Sequence, residues 1–387
     1  MGAIMTRAGL LVDLPYVETL RAKLTAEEEE HAARAARYGV TSVNSTAQVA
    51  EALAAMGETL SERTDSGNVK VDKAVLLGLA DLDRDWKRVG AREPNPLADA
   101  VIRSKRASKW RVAYADKFAT AADARGYIHP SINTLAARTG RMSVNGDLAA
   151  QTLPSSDWTI RRAILADEGH VMVSTDFAAV ELRMLAALAD VRRMKAAIAA
   201  GEDLHSFTAR LVFGPDFTKA HRKVSKAIAF GTVYGGGATT IQRQTGAPMA
   251  EVKNALAAYF RTYPEIRRAS QRWQREALAT GAVAISVTGR RLPVDRKRLY
   301  ATTNHLIQSA ARDCLGQAML NCEKAGLLPY LKMPLHDELL ASVPVAQAPD
   351  FAREIERAMG MTINGVKIDA EAETGKQSWG SLYGSDF

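Results

Sequence analysis

Three blocks of the sequence combine residue types that could do chemistry together. In the first, the apolar run Val171-Met-Val-Ser-Thr leads straight into Asp176, and helix-like sequence resumes near Ala178, with Glu181 inside it. An acid at a strand's end, beside a turn, is well placed for a hard cation, although capping a helix is the commoner use of such an Asp. In the second, His336-Asp337-Glu338 interrupts the apolar stretch Leu331 to Val343. Two adjacent carboxylates buried without partners would be costly, so either a tight hairpin turn exposes them or a metal neutralises them. If strand ends bring Asp176 and Asp337 together, they offer the oxygen ligands that magnesium prefers. In the third, Arg222, Lys226, Phe230 and Tyr234 recur every four residues. On a helix each such step drifts by only about 40°, so the four share one face. A core-facing stripe would not start with Arg and Lys, and a solvated one would not end with Phe and Tyr. A nucleotide suits both ends, with phosphates on the cations and base and sugar against the rings. Gly231 and Gly235 leave room for close approach.

The elements around these blocks change in texture along the chain. Tyr16 to Tyr38 reads as a helix stopped by Gly39, with Glu27 to Glu30 as a solvated face. Ser45-Thr-Ala-Gln48 resembles a capping box opening a short helix that ends at Gly57. A polar loop, Ser61 to Asn68, precedes a helix capped by Asp72. Pro94 and Pro96 then introduce a longer helix, about Leu97 to Phe118, carrying Arg103, Lys105, Arg106, Lys109 and Arg111. Such a cluster is either a charged surface or a helix that tracks phosphates. After residue 130, β-rich runs such as His170 to Ser174 and Ala282 to Val287 appear, and 186–280 reads as almost wholly helical. The pattern is α+β, with helices on both sides of a strand-containing centre.

Composition narrows the class. The chain has 387 residues, 47% hydrophobic and 24% charged, which suits a large globular core and excludes a disordered chain. Cys314 and Cys322 are the two cysteines, too few for a disulfide framework or a Cys-rich zinc site, and they point to a reducing compartment. No apolar run reaches the ~18 residues of a membrane span, and the N-terminus does not read as a signal peptide. With 51 Lys and Arg against 43 Asp and Glu, the net charge is +8, which favours a polyanionic partner.

Taken together, the blocks resemble the A, B and C motifs of family A DNA polymerases, the bacterial DNA polymerase I type, with a phage-like brevity. The B pattern, Arg-x3-Lys-x3-Phe-Gly-x2-Tyr-Gly, matches at Arg222, Lys226, Phe230, Gly231, Tyr234 and Gly235. The A pattern is Asp176-Phe-Ala-Ala-Val-Glu181-Leu-Arg183, and the C pattern is His336-Asp337-Glu338. Thr139-Gly140-Arg141-Met-Ser with Gln151-Thr-Leu-Pro154, Gly201-Glu-Asp-Leu-His205, and Asn304-x3-Gln308-x4-Asp313 resemble further family segments. There are departures. Phe177 replaces the family Tyr, Ala178 and Ala179 replace Ser and Gln, Tyr300 stands where an Arg is usual, and Ser309 follows Gln308 in place of Gly. These touch fidelity and duplex grip rather than the chemistry.

The resemblance implies a right-hand polymerase fold with an antiparallel palm sheet and helical fingers and thumb. Residues 1–120 would be mainly thumb, with the first residues able to pack on the palm. Residues 121–185 would be the first part of the palm, 186–284 the fingers and 285–387 the second part of the palm. Asp176 and Asp337 would hold two Mg²⁺ ions, for which Mn²⁺ can substitute, with the Phe177 backbone carbonyl as a further ligand and Glu338 as a supporting acid. Arg222, Lys226 and His205 would bind the triphosphate, and Lys226 would also protonate the leaving pyrophosphate. Phe230 would pack on base and sugar. Tyr234 would sit at the templating position, and Glu181, against Tyr234, would exclude a ribose 2′-hydroxyl. Arg141, Asn304 and Gln308 would meet minor-groove acceptors, which are alike in all four pairs. His336 would touch the primer-terminal phosphate, and Arg103, Arg106 and Lys109 would grip the primer–template. Arg183 reads as structural.

Arg7-Ala-Gly9-Leu-Leu-Val-Asp13 resembles the opening of the family's polymerase domain, and no Asp-x-Glu exonuclease block precedes it. The expectation is therefore a DNA-templated DNA polymerase, extending a primer 3′-hydroxyl with dNTPs, without proofreading or 5′-nuclease activity. It would be a monomer in the cytoplasm of a bacterial or phage-infected cell, associated with the nucleoid and not with a membrane. A separate exonuclease or replication proteins would be its partners. The alternatives are a single-subunit RNA polymerase, against which Glu181, Phe230 and the Arg-first B motif argue, and a non-catalytic DNA-binding homologue, against which the two retained aspartates argue.

Overall fold

Alternation along one strand sets the layout of the candidate site. In His170–Phe177, Val173, Thr175 and Phe177 are buried, whereas Ser174 is half-buried and Asp176 exposed. Successive side chains point to opposite faces of a sheet, so one face joins the core and the other carries the polar groups. The structure, a computed structural model, describes residues 1–64, 66–154, 157–234, 236–284 and 288–387, with the side chains of 232–234 and 284 also outside that description. The chain divides into two compact units.

The first unit comprises Met1–Ala8, Ile132–Val144 and Glu168–Gly375. Its sheet is antiparallel, in the spatial order Ala370–Thr374, His170–Phe177, Glu338–Pro344, Leu331–Leu335. The expected strand at 170–174 thus runs on through Asp176. The apolar stretch from Leu331 is a hairpin whose two-residue loop is His336-Asp337. His336 has φ +57° and Asp337 is not left-handed, the pattern of a II′ turn, in which that first position usually holds Gly. Placing a side chain there costs about 1–2 kcal/mol. On the core face, Val173 and Phe177 join Leu339, Ala341 and Val343 in one cluster with Ile307, Leu315 and Ile355, which come from helices Thr302–Lys324 and Ala348–Met359. Removing a fully buried ring such as that of Phe177 costs about 3–5 kcal/mol.

The helical stretch expected over 186–280 is a series: Arg192–Ala199, Leu204–Phe213, Lys219–Tyr234, Ala238–Thr245, Met249–Thr262 and Pro264–Thr280. Lys219–Tyr234 buries Val224, Ile228 and Ala229. Gly231 packs close to Ile241, whose side chain would stand 3.3 Å from an added Cβ. The strand expected at Ala282 to Val287 is seen at Ala282–Ala284, and its remainder lies outside the described residues.

The second unit comprises Gly9–Ser131, Asn145–Asp167 and Lys376–Phe387. The units therefore do not divide at residue 120. Residues 121–131 and 145–167 stay with the early helices, and residues 1–8 leave them. Leu14–Ala36 packs along Pro96–Trp110, and a small sheet joins Tyr127–Ile128, Leu10–Val12 and Ile164–Leu165. Both expected caps are present. Ser45 accepts from the Gln48 N–H, and Asp72 accepts from Ala74 and Val75. The helix expected over about 97–118 is present as one continuous helical run, Pro96–Trp110, a π-helical turn Arg111–Ala115 and Asp116–Ala121. One expectation needs correction. Glu27 to Glu30 is not wholly solvated, because Glu28 binds the Arg111 guanidinium at 2.9 Å.

Candidate functional site

The sheet register brings the acids of two distant blocks onto one face. Asp176 pairs across the strands with Glu338 on one side and Glu371 on the other. Cross-strand partners share a face, with Cβ atoms about 5 Å apart. Asp337 immediately precedes Glu338, in the hairpin loop, and its carbonyl accepts from the Phe177 N–H at 3.4 Å. The Ser174 hydroxyl donates to Glu338 Oε1 at 2.6 Å. Asp176 is reachable from solvent yet ringed by protein. Burial first, then Asp337, Glu338 and Glu371, push its pKa up to about 7. Burial also raises Asp337, against the opposing pull of Arg141 and His336.

Carboxylates that repel one another at the mouth of a sheet are a site that a divalent cation would relieve. The donors are hard oxygens, which fits magnesium. Among the described residues, no group of three or more His, Cys, Asp or Glu side chains is placed to hold a metal ion. A short turn completes the strand. Ala179 adopts φ +48°, and helix Val180–Leu188 starts immediately after it.

The cation–aromatic stripe lies on helix Lys219–Tyr234, opposite the buried Val224 and Ile228. Arg222 and Phe230 are half-buried, and Lys226 is exposed. Arg222 is held by Asp203, its Nη2 at 2.9 Å from Oδ1, while its Nε reaches Ser206 Oγ at 3.1 Å. Asp203 also caps helix Leu204–Phe213. Against the upward push of burial, its bonds to Ser206 and Arg222 bring its pKa down to about 2. The His205 ring lies 5.8 Å from that of Phe230, and burial lowers the His205 pKa, keeping it neutral near pH 7. The side chain of Tyr234 and all of Gly235 lie outside the described residues. The expected Glu181–Tyr234 contact therefore has no structural description.

Glu181 is buried, 6% exposed, and forms an ion pair with Arg141. The Arg141 segment is itself anchored. At Gly140, with φ +78°, the Arg290 guanidinium sits where a Cβ would be. That guanidinium bonds Asp313 at 2.7 Å and Ser309 Oγ at 2.6 Å. Ser309, a departure from the family pattern, is thus an acceptor for Arg290. Asn304 and Gln308 lie one turn apart on helix Thr302–Lys324, and Asn304 Oδ1 is buried without a hydrogen-bond partner among the described residues. His336 reaches solvent from the loop, its pKa lowered by burial and then by Arg141. Arg183 bonds the Lys367 carbonyl and Asp369, as a structural residue would.

The basic helix is tied into its unit by ion pairs. Arg103 is held by Asp99 at 3.0 Å. Arg106 bonds Asp157 at 2.8 Å and lies between the rings of Trp86 and Trp110, at 4.5 and 4.1 Å. Arg111 bridges Glu28 and Asp116. Asp99 and Asp116 are near in sequence, whereas Asp157 and Glu28 are far from their arginines, and Lys109 is the exposed cation among the expected duplex contacts. Sequence reasoning missed Glu371, Asp203, Arg290 and Asp157. For Asp203 a signal existed in Gly201-Glu-Asp-Leu-His205, as an N-cap before a helix.

The sequence profile of DNA polymerase family A matches residues 15–381. The chain belongs to DNA polymerase family A. Relatives include the DNA polymerase of Mycobacterium phage D29, 42% identical over 98% of this chain and 62% of the relative. That of Mycobacterium phage L5 is 40% identical over 98% and 61%. DNA polymerase I of Treponema pallidum is 30% identical over 75% of this chain and 31% of the relative. The chain thus spans about three-fifths of the length of the phage polymerases it resembles. A solved structure of the POL domain of Pol1 from M. smegmatis, in complex with DNA primer-template and dNTP, superposes with a TM-score of 0.82. It is 23% identical, and the match covers 98% of this chain and 69% of that one. The fold is that of a family A polymerase domain, α+β as the resemblance implied. Among the described residues no helix is long and apolar enough to cross a membrane.

Proposed function

We propose that this family A chain catalyses DNA-templated addition of deoxynucleotides to a primer 3′-hydroxyl, releasing pyrophosphate. One observation carries the reading. The strand register sets Asp176 beside Glu338, with Asp337 in the adjoining loop, so the A and C motifs form one acidic surface. Asp176, Asp337 and the Phe177 carbonyl would hold two divalent ions, Mg²⁺ or Mn²⁺. When bound, such ions lower the pKa of the attacking hydroxyl and neutralise charge on the phosphates.

The remaining roles belong to the chain's own side chains. Arg222 and Lys226 bind the β- and γ-phosphates. For this Arg222 exchanges Asp203 for a phosphate, a charge-assisted partner of comparable strength. Lys226, exposed and cationic, delivers a proton to the departing pyrophosphate. Neutral His205 donates a hydrogen bond to the triphosphate and supports the Phe230 ring, which packs on base and sugar. Tyr234 occupies the templating position before closure. Glu181, fixed by Arg141, fills the volume that a 2′-hydroxyl would need. Arg141, Asn304 and Gln308 meet minor-groove acceptors through their N–H donors. His336 meets the primer-terminal phosphate, and Glu338, held by Ser174, supports the aspartates. In the second unit, Lys109 contacts the duplex backbone, while Arg103 and Arg106 hold the helix that presents it. Residues 1–120 supply most of the thumb, 186–284 the fingers and the two flanking segments the palm.

Labelled primer on a DNA template, with each nucleotide type and with or without magnesium, tests the proposal. Extension should require dNTPs and a divalent ion and disappear in Asp337→Ala; extension that survives this change overturns the metal assignment. Glu181→Ala should raise ribonucleotide insertion by about tenfold or more, because a steric block worth ~1–3 kcal/mol is removed. Degradation of a labelled single strand, assayed in parallel, should be absent from these 387 residues.

A further inference from the structure

The second unit contains a cavity of about 660 Å³, which the roles above touch only at Arg106 and Lys109. Ligand sites commonly measure ~300–1,000 Å³. Lys73, Arg84, Lys105, Arg106 and Lys109 line it, against the acids Asp72, Asp85 and Asp157. Two of these acids are already occupied. Asp72 caps its helix and meets Lys70 at 3.2 Å, and Asp157 takes Arg106. Among the described residues, Lys73, Arg84, Lys105 and Lys109 have no carboxylate partner within the cavity. Burial first, then Lys109, Arg106 and Arg84, lowers the pKa of Lys73, and burial lowers that of Lys105. Cations that destabilise one another in an accessible cavity mark a place where an anion would be stabilised.

The rest of the lining is apolar. Leu76, Ile102 and Leu153 form a floor beside Trp110. Trp86 closes the wall with φ +64°, a conformation that bulky residues rarely adopt, and Arg106 stacks on it at 4.5 Å. Backbone strain of this kind persists only where the surroundings fix it, and it concentrates at functional sites. Here the Arg106 guanidinium, clamped between two indoles and Asp157, fixes it. An inorganic anion would use the cations and leave the floor bare.

We propose that this cavity binds a nucleoside phosphate, with the phosphate on Lys73 and Arg84 and the base or sugar against Leu76, Ile102 and Leu153. The nucleoside phosphate is either a free nucleotide or one unit of an unpaired DNA strand, which share that chemistry. The site lies wholly within the second unit and is separate from the Arg222–Phe230 stripe of the first.

The test is titration of the whole chain in chelator at low salt, followed by tryptophan fluorescence, which Trp86 and Trp110 would report. Thymidine 5′-phosphate should bind saturably, with thymidine and inorganic phosphate each weaker by about tenfold or more. The double variant Lys73→Gln, Arg84→Gln should weaken binding by about tenfold, and Arg222→Ala should leave it unchanged. Because Lys73 opens a helix, exposed Arg84→Gln alone, with about threefold weakening, keeps the test valid if the double variant does not fold. A short oligothymidylate that binds more tightly than the mononucleotide supports the site and identifies a strand as its ligand; equal affinity supports it with a free nucleotide. No saturable binding, loss of binding in Arg222→Ala instead, or phosphate binding as well as the nucleotide would each overturn the proposal.

Discussion

The acidic sheet face of the first unit and the basic helix Pro96–Trp110 of the second pose the same puzzle in sequence, a cluster of like charges, and resolve it in opposite ways. On the sheet, Asp176 has Glu338 and Glu371 as its cross-strand neighbours, and burial first, then repulsion from Asp337, Glu338 and Glu371, raises its pKa to about 7. On the helix, Arg103 and Arg106 each meet a carboxylate within 3.0 Å. Like charges gathered on one face leave room for a ligand to supply the counter-charge, whereas matched pairs tie elements together, Arg222 with Asp203 being the pair that a phosphate is proposed to open. The number of charges in a segment does not separate the two cases. The partners do.

The largest effect expected from this contrast is at Asp176. Asp176→Asn should reduce extension by about a thousandfold or more, yet raise the melting temperature in chelator. The folded pKa of about 7 lies above the ordinary 3.8, so ionisation is disfavoured in the folded state. Stability is then lost as pH rises between those values, and the whole deficit is present above the folded pKa. The gap in Tm between variant and parent should be negligible near about pH 4, widen through neutrality and be greatest at alkaline pH. A gap independent of pH would show that Asp176 is not under charge repulsion.

Arg106→Ala comes next. Loss of a charge-assisted bond and two ring contacts should cost about 2–4 kcal/mol in urea unfolding. Intact stability with lost DNA binding would make Arg106 a phosphate contact and break the contrast. The salt dependence of duplex binding sharpens it further. Lys109→Ala should lower the slope of log affinity against log salt by about one, and Arg103→Ala by much less, because Asp99 already neutralises that guanidinium. The smallest effect is at Glu371. Glu371→Gln should raise Tm in chelator in the same direction as Asp176→Asn, but by less, since Glu371 acts on Asp176 more weakly than Asp337 or Glu338 does.

What could be read from the sequence was what local order encodes. The Ser45 and Asp72 caps depend on a side chain and N–H groups two or three residues on. The stripe from Arg222 to Phe230 depends only on helical spacing. The hairpin at His336-Asp337 was one of two open readings of two acids in an apolar run. What could not be read depends on pairing at a distance. Glu371 sits in Ala370-Glu-Ala-Glu-Thr, which looks like any polar edge strand until register places it beside Asp176. Arg106 and Asp157 are 51 positions apart, and Arg111 and Glu28 are 83 apart. No periodicity announces such pairs, so helix 97–118 looked more available to a duplex than it is. Ser309 shows the converse. Compared with a family pattern it looked like a loss, and the Arg290 guanidinium gives it a partner.

The strand Glu338–Pro344 is buried on both faces from Leu339 to Val343, and this has a consequence for how the chain can vary. A one-residue change of length at its start would exchange the faces that meet His170–Phe177, moving Glu338 off the side it shares with Asp176 and Glu371 and towards the one where Leu339, Ala341 and Val343 join the core. The strand already absorbs one irregularity, between Leu340 and Ala341 on its flank facing Leu331–Leu335, so slack is taken up on the side away from the acids.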